Sequence, residues 1–447
     1  MAQQQHKQPD QAQEKPAGIG HKGRLFGGAL GFQNIGDQLV NPKTTLPWFI
    51  NAIGAPAWIL SLLVPLRESL AMLPQAAIRP FLLKSGRHRL LLLTGTAFQG
   101  IACLLMVVAV VIAAGAGWEH GSPHEQGDSQ ASGPILLAGL TILAALTLLA
   151  LARSLVSLTS SDVKGKLIPK GVRGRVTGFA TTIAGAVAIT VGVLVQLIKG
   201  DLNSWGYGII FATAAAGWAL SFVLFAVLTR ELSASNIDKG ISDDEDSEPE
   251  QHTRVLTALK EDKKLLKFVT VRSMLLVTAL SPPFIVTLAH GSAKTLLTGL
   301  GAFIIASGLA SLLSGQVAGY FSDISSRITM AGAALAASLL IGIALALHTW
   351  IPQWSTVALP LIFFGISLAH AVIRVARATY VVDMAEGEQR TTYISVANTA
   401  MGVILLIAGA LTSALSAIGP MWALGALGIL GLVGAISSWR LEEVSLG

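Results

Sequence analysis

Long apolar runs separated by short polar segments set the pattern of this chain. Nine runs are continuous: Leu90–Gly115, Ile135–Leu158, Val176–Ile198, Gly208–Leu228, Leu296–Phe321, Ile328–Leu347, Val357–Val375, Thr392–Leu415 and Met421–Ser437. A helix rises about 1.5 Å per residue, so about 20 apolar residues cross the hydrocarbon of a bilayer. Each run therefore reads as a membrane helix. Three further stretches, Leu25–Thr45, Pro56–Leu82 and Phe268–Ala289, are bounded in the same way but carry polar or charged residues. Such residues inside a membrane helix usually face a cavity and not lipid. These three are the spans most informative about function. The pattern predicts an all-α membrane protein of twelve transmembrane helices.

Loop charge orients them. With the spans numbered from an internal N-terminus, the loop around Asn51, Trp118–Ser132, Ile351–Ser355 and Ala417–Pro420 hold no Lys or Arg. Lys199 and Lys294 are the external cations near a span end. The opposite loops carry Arg79, Lys84, Arg87 and Arg89, then Lys164, Lys166, Lys170, Arg173 and Arg175, then Arg327, then Arg374, Arg377 and Arg390. Positive charge stays on the cytoplasmic side, so both termini are expected there, in the plasma membrane of a bacterium. Residues 1–23 are polar and Gln-rich and read as a disordered tail, not a secretory signal. The domains expected are a first six-helix bundle over 24–229, a cytoplasmic linker over 230–267, a second bundle over 268–439 and a tail over 440–447. The linker is acidic from Asp243 to Glu250. Its Arg254–Lys267 part reads either as a basic amphipathic helix on the membrane surface or as a solvated connector.

Composition agrees. Of 447 residues, 52% are hydrophobic and 13% charged, against about 25% charged in ordinary soluble domains. Mean hydropathy is +0.64. These values exclude a soluble enzyme, a disordered scaffold and a nucleic-acid binder, and the net charge of +6 follows from the cytoplasmic loops. The single cysteine, Cys103, excludes an intrachain disulfide and has apolar sequence neighbours.

The halves repeat. Pro42 and Pro282, and Arg87 and Arg327, stand 240 residues apart, as do Arg79 and Gly319. After the longer external loop the offset becomes 217: Leu151-Ala152 meets Leu368-Ala369, and Arg173 meets Arg390. The segment running from Gly319 through Asp323 to Arg327 resembles the G-x-x-x-D-x-x-x-R signature of the major facilitator superfamily. The first-half copy keeps Gly86 and Arg87 but has Arg79 and Leu83 where the family has Gly and Asp. Arg153 matches the family's fourth-helix arginine in position. The fifth span lacks the Gly-Pro pair of drug antiporters. Segments around Arg67-Glu68 and Asp162–Arg175 resemble a branch of bacterial facilitators, and Leu30-Gly-Phe with Thr45-Leu-Pro-Trp48 resembles the muropeptide permeases. The resemblance implies two six-helix bundles around a central cavity, alternating access, and a gating role for Gly319, Asp323, Arg327, Gly86 and Arg87.

Candidate chemistry lies in the weak spans. At about 100° per residue, Asn34, Asp37, Gln38, Asn41 and Thr45 share one stripe of the first helix. Lys43 falls on the opposite face and reads as a snorkelling residue, unless Pro42 bends the helix. Glu68 and Gln75 share a face of the second span with Ser61, and Arg67 adjoins Glu68. Depths of roughly 18 Å for Asp37 and roughly 21 Å for Arg67 and Glu68 follow from the helical rise. The three form an Asp–Arg–Glu cluster near the midplane. It reads as a proton-coupling or ligand site, or else as an ion pair that locks two helices. Arg153 and the His370, Arg374, Arg377 stripe lie nearer the cytoplasm and form either a port for an anionic substrate or contacts with headgroups and loop carboxylates. Asn398 gives the eleventh span a polar face. Ser307, Ser311, Gly315 and Gly319 form a small-residue ridge suited to packing.

Metalloprotease, hydrolase-elbow and P-loop motifs do not occur in the sequence. His120 and His124 read as an ordinary polar loop, and no cofactor or metal is expected. The function expected is secondary transport of a small polar or anionic solute, with protons as coupling ion and the lipid bilayer as surroundings. A polytopic membrane enzyme or a lipid scramblase is the alternative.

Overall fold

A computed structural model describes residues 20–75, 88–118, 133–167, 173–197, 202–233, 259, 261–290, 299–384 and 388–444. Most of the expected N-terminal tail, the first-half loop with Arg79, Leu83, Lys84, Gly86 and Arg87, the loop carrying His120 and His124, Lys199, Lys294 and the acidic linker run lie outside these residues. So do the side chains of Asp162, Lys164, Lys166, Arg173, Arg175, Asp323, Arg390 and Ser395, and Lys170 altogether.

Every regular element among the described residues is a helix. In a bilayer each backbone donor and acceptor must be paired within the protein, which a helix achieves by itself. The first half contains α1 (His21–Leu39), α2 (Thr45–Ala52), α3 (Ala57–Met72), α4 (His88–Gly115), α5 (Gly133–Leu167), α6 (Arg173–Leu197) and α7 (Ser204–Ser233). The second contains α8 (Lys263–Met274), α9 (Val277–Leu280), α10 (Pro282–His290), α11 (Leu300–Ile324), α12 (Ser326–Trp350), α13 (Pro352–Met384), α14 (Glu388–Ile418) and α15 (Pro420–Trp439). Apart from residue 198 and residues 296–299, the nine continuous apolar runs lie on long helices that extend past most of the run ends. Among the described residues, eight segments are long and apolar enough to cross a membrane.

The polar spans behave differently. The first is broken: α1 ends at Leu39, residues 40–44 turn, and α2 starts at Thr45. Pro42 has no N–H to continue the helix, and the Asn41 side chain accepts from the Lys43 N–H at 2.8 Å. The second half breaks at the position 240 residues on, where Ser281 separates α9 from the Pro282 that opens α10. Of Arg254–Lys267, read as an amphipathic helix or a connector, residues 259 and 261–267 lie among those described. There Asp262 caps α8 by accepting from the N–H groups of Lys264 and Leu265 at 2.9 and 3.0 Å, and α8 runs on into the span.

Two packed sets of helices result. In the first, α1 packs on α6 and α7, α4 on α5 and α7, and α3 on α5. In the second, α13 packs on α11 and α12, and α12 on α15. Long seams join them, α6 against α11 and α3 against α14. The seams are matched by the sequence offsets. Gly185 and Gly192 of α6 meet Leu312 and Ile305 of α11, while Gly402 and Gly409 of α14 meet Leu73, just past α3, and Pro65 of α3. Each glycine pair is related by 217 residues, and Pro65 and Ile305 by 240. At α6–α11 the backbones themselves touch: a Cβ on Gly301 would lie 2.4 Å from the Gly192 carbonyl oxygen.

One end, carrying α2 and α10, is fastened between the halves. Trp48 packs tilted against His290 and Phe303, with ring centroids 5.0 and 5.8 Å away, and Asn51 donates to Thr287 Oγ1 at 3.0 Å. Exposed Trp205, Trp350, Trp354 and Trp422 sit at helix ends, where indole rings favour the bilayer interface.

Candidate functional site

Gly36 of α1 is where the site begins. A Cβ there would lie 2.6 Å from Nε1 of the buried Trp218 on α7, so only glycine lets α1 lie this close. The next residue, Asp37, turns inward. Its Oδ1 accepts from Arg67 Nη2 of α3 at 2.7 Å, and its Oδ2 from Arg153 Nη1 of α5 at 2.5 Å. Three helices thus meet on one carboxylate. Side-chain exposures of 21% for Asp37, 14% for Arg67 and 28% for Arg153 place the group at a partly wetted inner surface. Charge-assisted bonds of this length are among the stronger interactions available to a side chain.

The expected Asp–Arg–Glu arrangement therefore differs in its third member. Consecutive helical residues point about 100° apart, so Arg67 turns to Asp37 while Glu68 turns away. Glu68 faces Lys43 at 3.8 Å and is 35% exposed. The snorkelling expected of Lys43 does not occur, because the break at Pro42 swings it from the far face of the first span to the interior. Arg153, expected nearer the cytoplasm, is the second partner of Asp37. Around Glu68 the charged neighbours are Lys43, Arg67, Arg377 and Arg374, the last two from α13 of the other half.

A polar seam crosses between halves beside this cluster. Gln38 Nε2 donates to Ser311 Oγ at 3.2 Å, and the Gln38 Oε1 accepts from Ser307 at 3.5 Å and Asn41 at 3.4 Å. Ser69 Oγ donates to the Gly402 carbonyl at 2.6 Å across the other seam. Asn34 is half-buried on α1. Gln75 bonds back to Ala71 O of its own segment at 2.7 Å and is not brought to the cluster. His370 Nδ1 lies 3.2 Å from Thr278 Oγ1. Asn398 accepts from Arg272 Nη2 at 3.0 Å. Arg272 was not among the residues expected from sequence, although a lone arginine inside an apolar run was a readable signal.

Gly319 and Asp323 fall on the last turns of α11, and Arg327 on the first turn of α12. The Arg327 Nε donates to Glu443 Oε2 at 2.9 Å, its Nη1 to the carbonyls of Leu441 and Trp439 at 3.0 and 3.3 Å, and Ser325 Oγ also donates to Glu443 at 2.6 Å. Glu442 pairs with Lys264 at 3.0 Å, and its carbonyl accepts from Tyr380 at 3.1 Å. Residues 440–444, in the segment expected as a tail, pack on the bundle, with Leu441 buried.

No family model and no curated protein matches this sequence. Solved structures match over nearly the whole chain. A nucleoside transporter, NupG, aligns with a TM-score of 0.67 at 11% identity, covering 94% of this chain and 100% of that one. A D-xylose-proton symporter aligns at 0.64 and 15% identity, covering 95% and 98%. A POT family transporter in complex with 5-aminolevulinic acid aligns at 0.63 and 12% identity, covering 93% and 94%. At such identities the likeness is one of fold. With eight apolar segments of bilayer length among the described residues, the chain is a multi-pass membrane protein built on the fold of these transporters.

Proposed function

We propose that this protein, which has the transporter fold expected from its facilitator-like signature, is a secondary active transporter that moves a small polar or anionic solute by alternating access, with protons as the coupling ion. The observation that carries this reading is the placement of its two inner acids. Asp37 is held by Arg67 and Arg153, all from the first half. Glu68 faces Lys43 of the first half at 3.8 Å, and Arg374 and Arg377 of the second half act on it from beyond ion-pair distance. Rocking of the halves leaves the partners of Asp37 in place and changes those of Glu68. A carboxylate whose compensation alternates with conformation is suited to binding and releasing a proton, so Glu68 is the proton carrier in this reading and Asp37 the fixed anchor.

Twelve spans, cytoplasmic termini, a bacterial inner membrane, bundles over 24–229 and 268–439 and a linker over 230–267 belong to the same proposal. The loop charges and the paired proline breaks support it. By those charges the end fastened by Trp48 and Asn51 is external. The G-x-x-x-D-x-x-x-R segment then lies at the opposite, cytoplasmic gate, together with its first-half counterpart Gly86 and Arg87.

Proteoliposomes test the coupling. Glu68→Gln should exchange substrate while losing accumulation driven by a proton gradient. Normal accumulation by Glu68→Gln overturns the assignment. Single cysteines in the linker and in the Trp118–Ser132 loop, in a Cys103→Ala background, test the orientation: an impermeant thiol reagent outside intact cells should label the second and not the first.

A further inference from the structure

The interior cations are unevenly compensated. Arg67 and Arg153 share Asp37, and Lys43 faces Glu68. Arg272, Arg374 and Arg377 have no carboxylate within ion-pair distance among the described residues. Arg272 is the most constrained of them. It is 6% exposed, its Nη2 is bonded to Asn398, and its Nε is buried without a hydrogen-bond partner. A guanidinium carries five donors, and a buried cation left unpaired is costly. The charged group acting on Arg272 is Arg377, another cation. Arg377 in turn acts on Lys43 and Glu68 across the boundary between the halves. The result is a set of cations on α8, α13 and the break between α1 and α2, a positive field in which Glu68, 3.8 Å from Lys43, is the one carboxylate in ion-pair contact among the described residues.

We propose that this field is the substrate site, and that the solute is a dianion carrying a phosphate, a phosphonate or two carboxylates. Arg272 and Arg377 hold it from the second half by the forked geometry that suits such oxygens, and Lys43 closes on it from the first half. Arg374 is exposed and solvated, and a single negative charge would leave one of the other two, Arg272 or Arg377, uncompensated. The assignment rests on the transport reading above and moves the substrate contact away from Arg67 and Arg153, whose charge Asp37 already takes up.

The test uses the full-length protein in phosphatidylcholine nanodiscs, with thermal unfolding followed against inorganic phosphate, glycerol 3-phosphate and succinate, and with D-xylose as the neutral control. At least one dianion should stabilise saturably and D-xylose should not. Arg377→Gln should weaken that binding by about tenfold or more, the scale expected for a lost charged hydrogen bond. Because Arg272 is buried, Arg272→Lys accompanies Arg272→Gln, and it should retain part of the affinity. Lack of stabilisation by all three dianions, or equal binding by Arg377→Gln, overturns the site. Stabilisation that appears only when phosphatidylglycerol is added assigns the field to a lipid headgroup and overturns the solute. Dianion binding without dianion flux in proteoliposomes defeats the transport reading and leaves the site standing. Flux of D-xylose without any dianion effect defeats the site and leaves transport standing.

Discussion

Arg153 on α5 and His370 on α13 stand 217 residues apart, the offset that relates the later helices of the two halves. The first presents a guanidinium to Asp37 at 2.5 Å; the second presents an imidazole to the Thr278 hydroxyl at 3.2 Å. At the position 240 residues after Asp37 the second half has Val277 in place of an acid. The proline breaks coincide, and Gly185, Gly192, Gly402 and Gly409 make matching close contacts on the two seams. The repeat thus preserves the surfaces along which the halves meet and lets their chemistry diverge. One half balances its central cations with a carboxylate, and the other leaves Arg272 and Arg377 unbalanced.

That contrast can be broken most forcefully at Asp37. Asp37→Ala leaves two guanidinium groups without their acid and should destabilise the protein by about 3 kcal/mol or more, read as a lowered midpoint of thermal unfolding. If the loss is no larger than that of the neutral contact in the other half, the halves are not chemically distinct. The seams come next. Gly301→Ala drives a methyl against the Gly192 carbonyl, and the backbone there cannot yield without separating α6 from α11. About 1–3 kcal/mol is expected, with fewer molecules closed at the Trp48 end by distance measurements between spin labels. Gly402→Ala meets Leu73 Cδ and Cγ atoms at 2.6–3.6 Å, a flexible side chain that can shift, so its cost should be smaller. Equal effects would mean that both seams are set by side chains alone. The smallest change is expected from Thr278→Val, which removes the partner of His370. Hydrogen bonds between membrane helices average about 0.6 kcal/mol, so its midpoint should move little.

The sequence shows some of this arrangement readily. An apolar run of bilayer length announces its own helix, and the offsets of 240 and 217 already carry the symmetry of the seams. The polar stripe through Asp37, Gln38 and Asn41 likewise marks the inner face of the first span, because periodicity is a local property. Pairing is not local. A depth counted along a helix locates a backbone, whereas Arg153 projects its charge well beyond its own Cα and reaches Asp37. The wheel that sent Lys43 to the far face assumed one straight helix, and the break at Pro42 invalidates the angle for everything after it. The docking of Glu443 on Arg327 joins segments 116 residues apart with no periodic signal between them.

Trp48 has an optical consequence. Of the nine tryptophans, Trp205, Trp350, Trp354, Trp422 and Trp439 are largely exposed on the outer surface, and Trp118 and Trp218 are buried against first-half elements. Trp48 is 1% exposed and packs its indole at a tilt against a histidine of the opposite half. Parting of the halves at that end moves this ring from a dry aromatic contact into water. Its emission must then shift to the red, while the seven rings just named keep their surroundings; the ninth, Trp58 on α3, is already 36% exposed. The chain thereby carries its own fluorescent reporter of the fastened end, readable in unlabelled protein on the timescale of the gate itself.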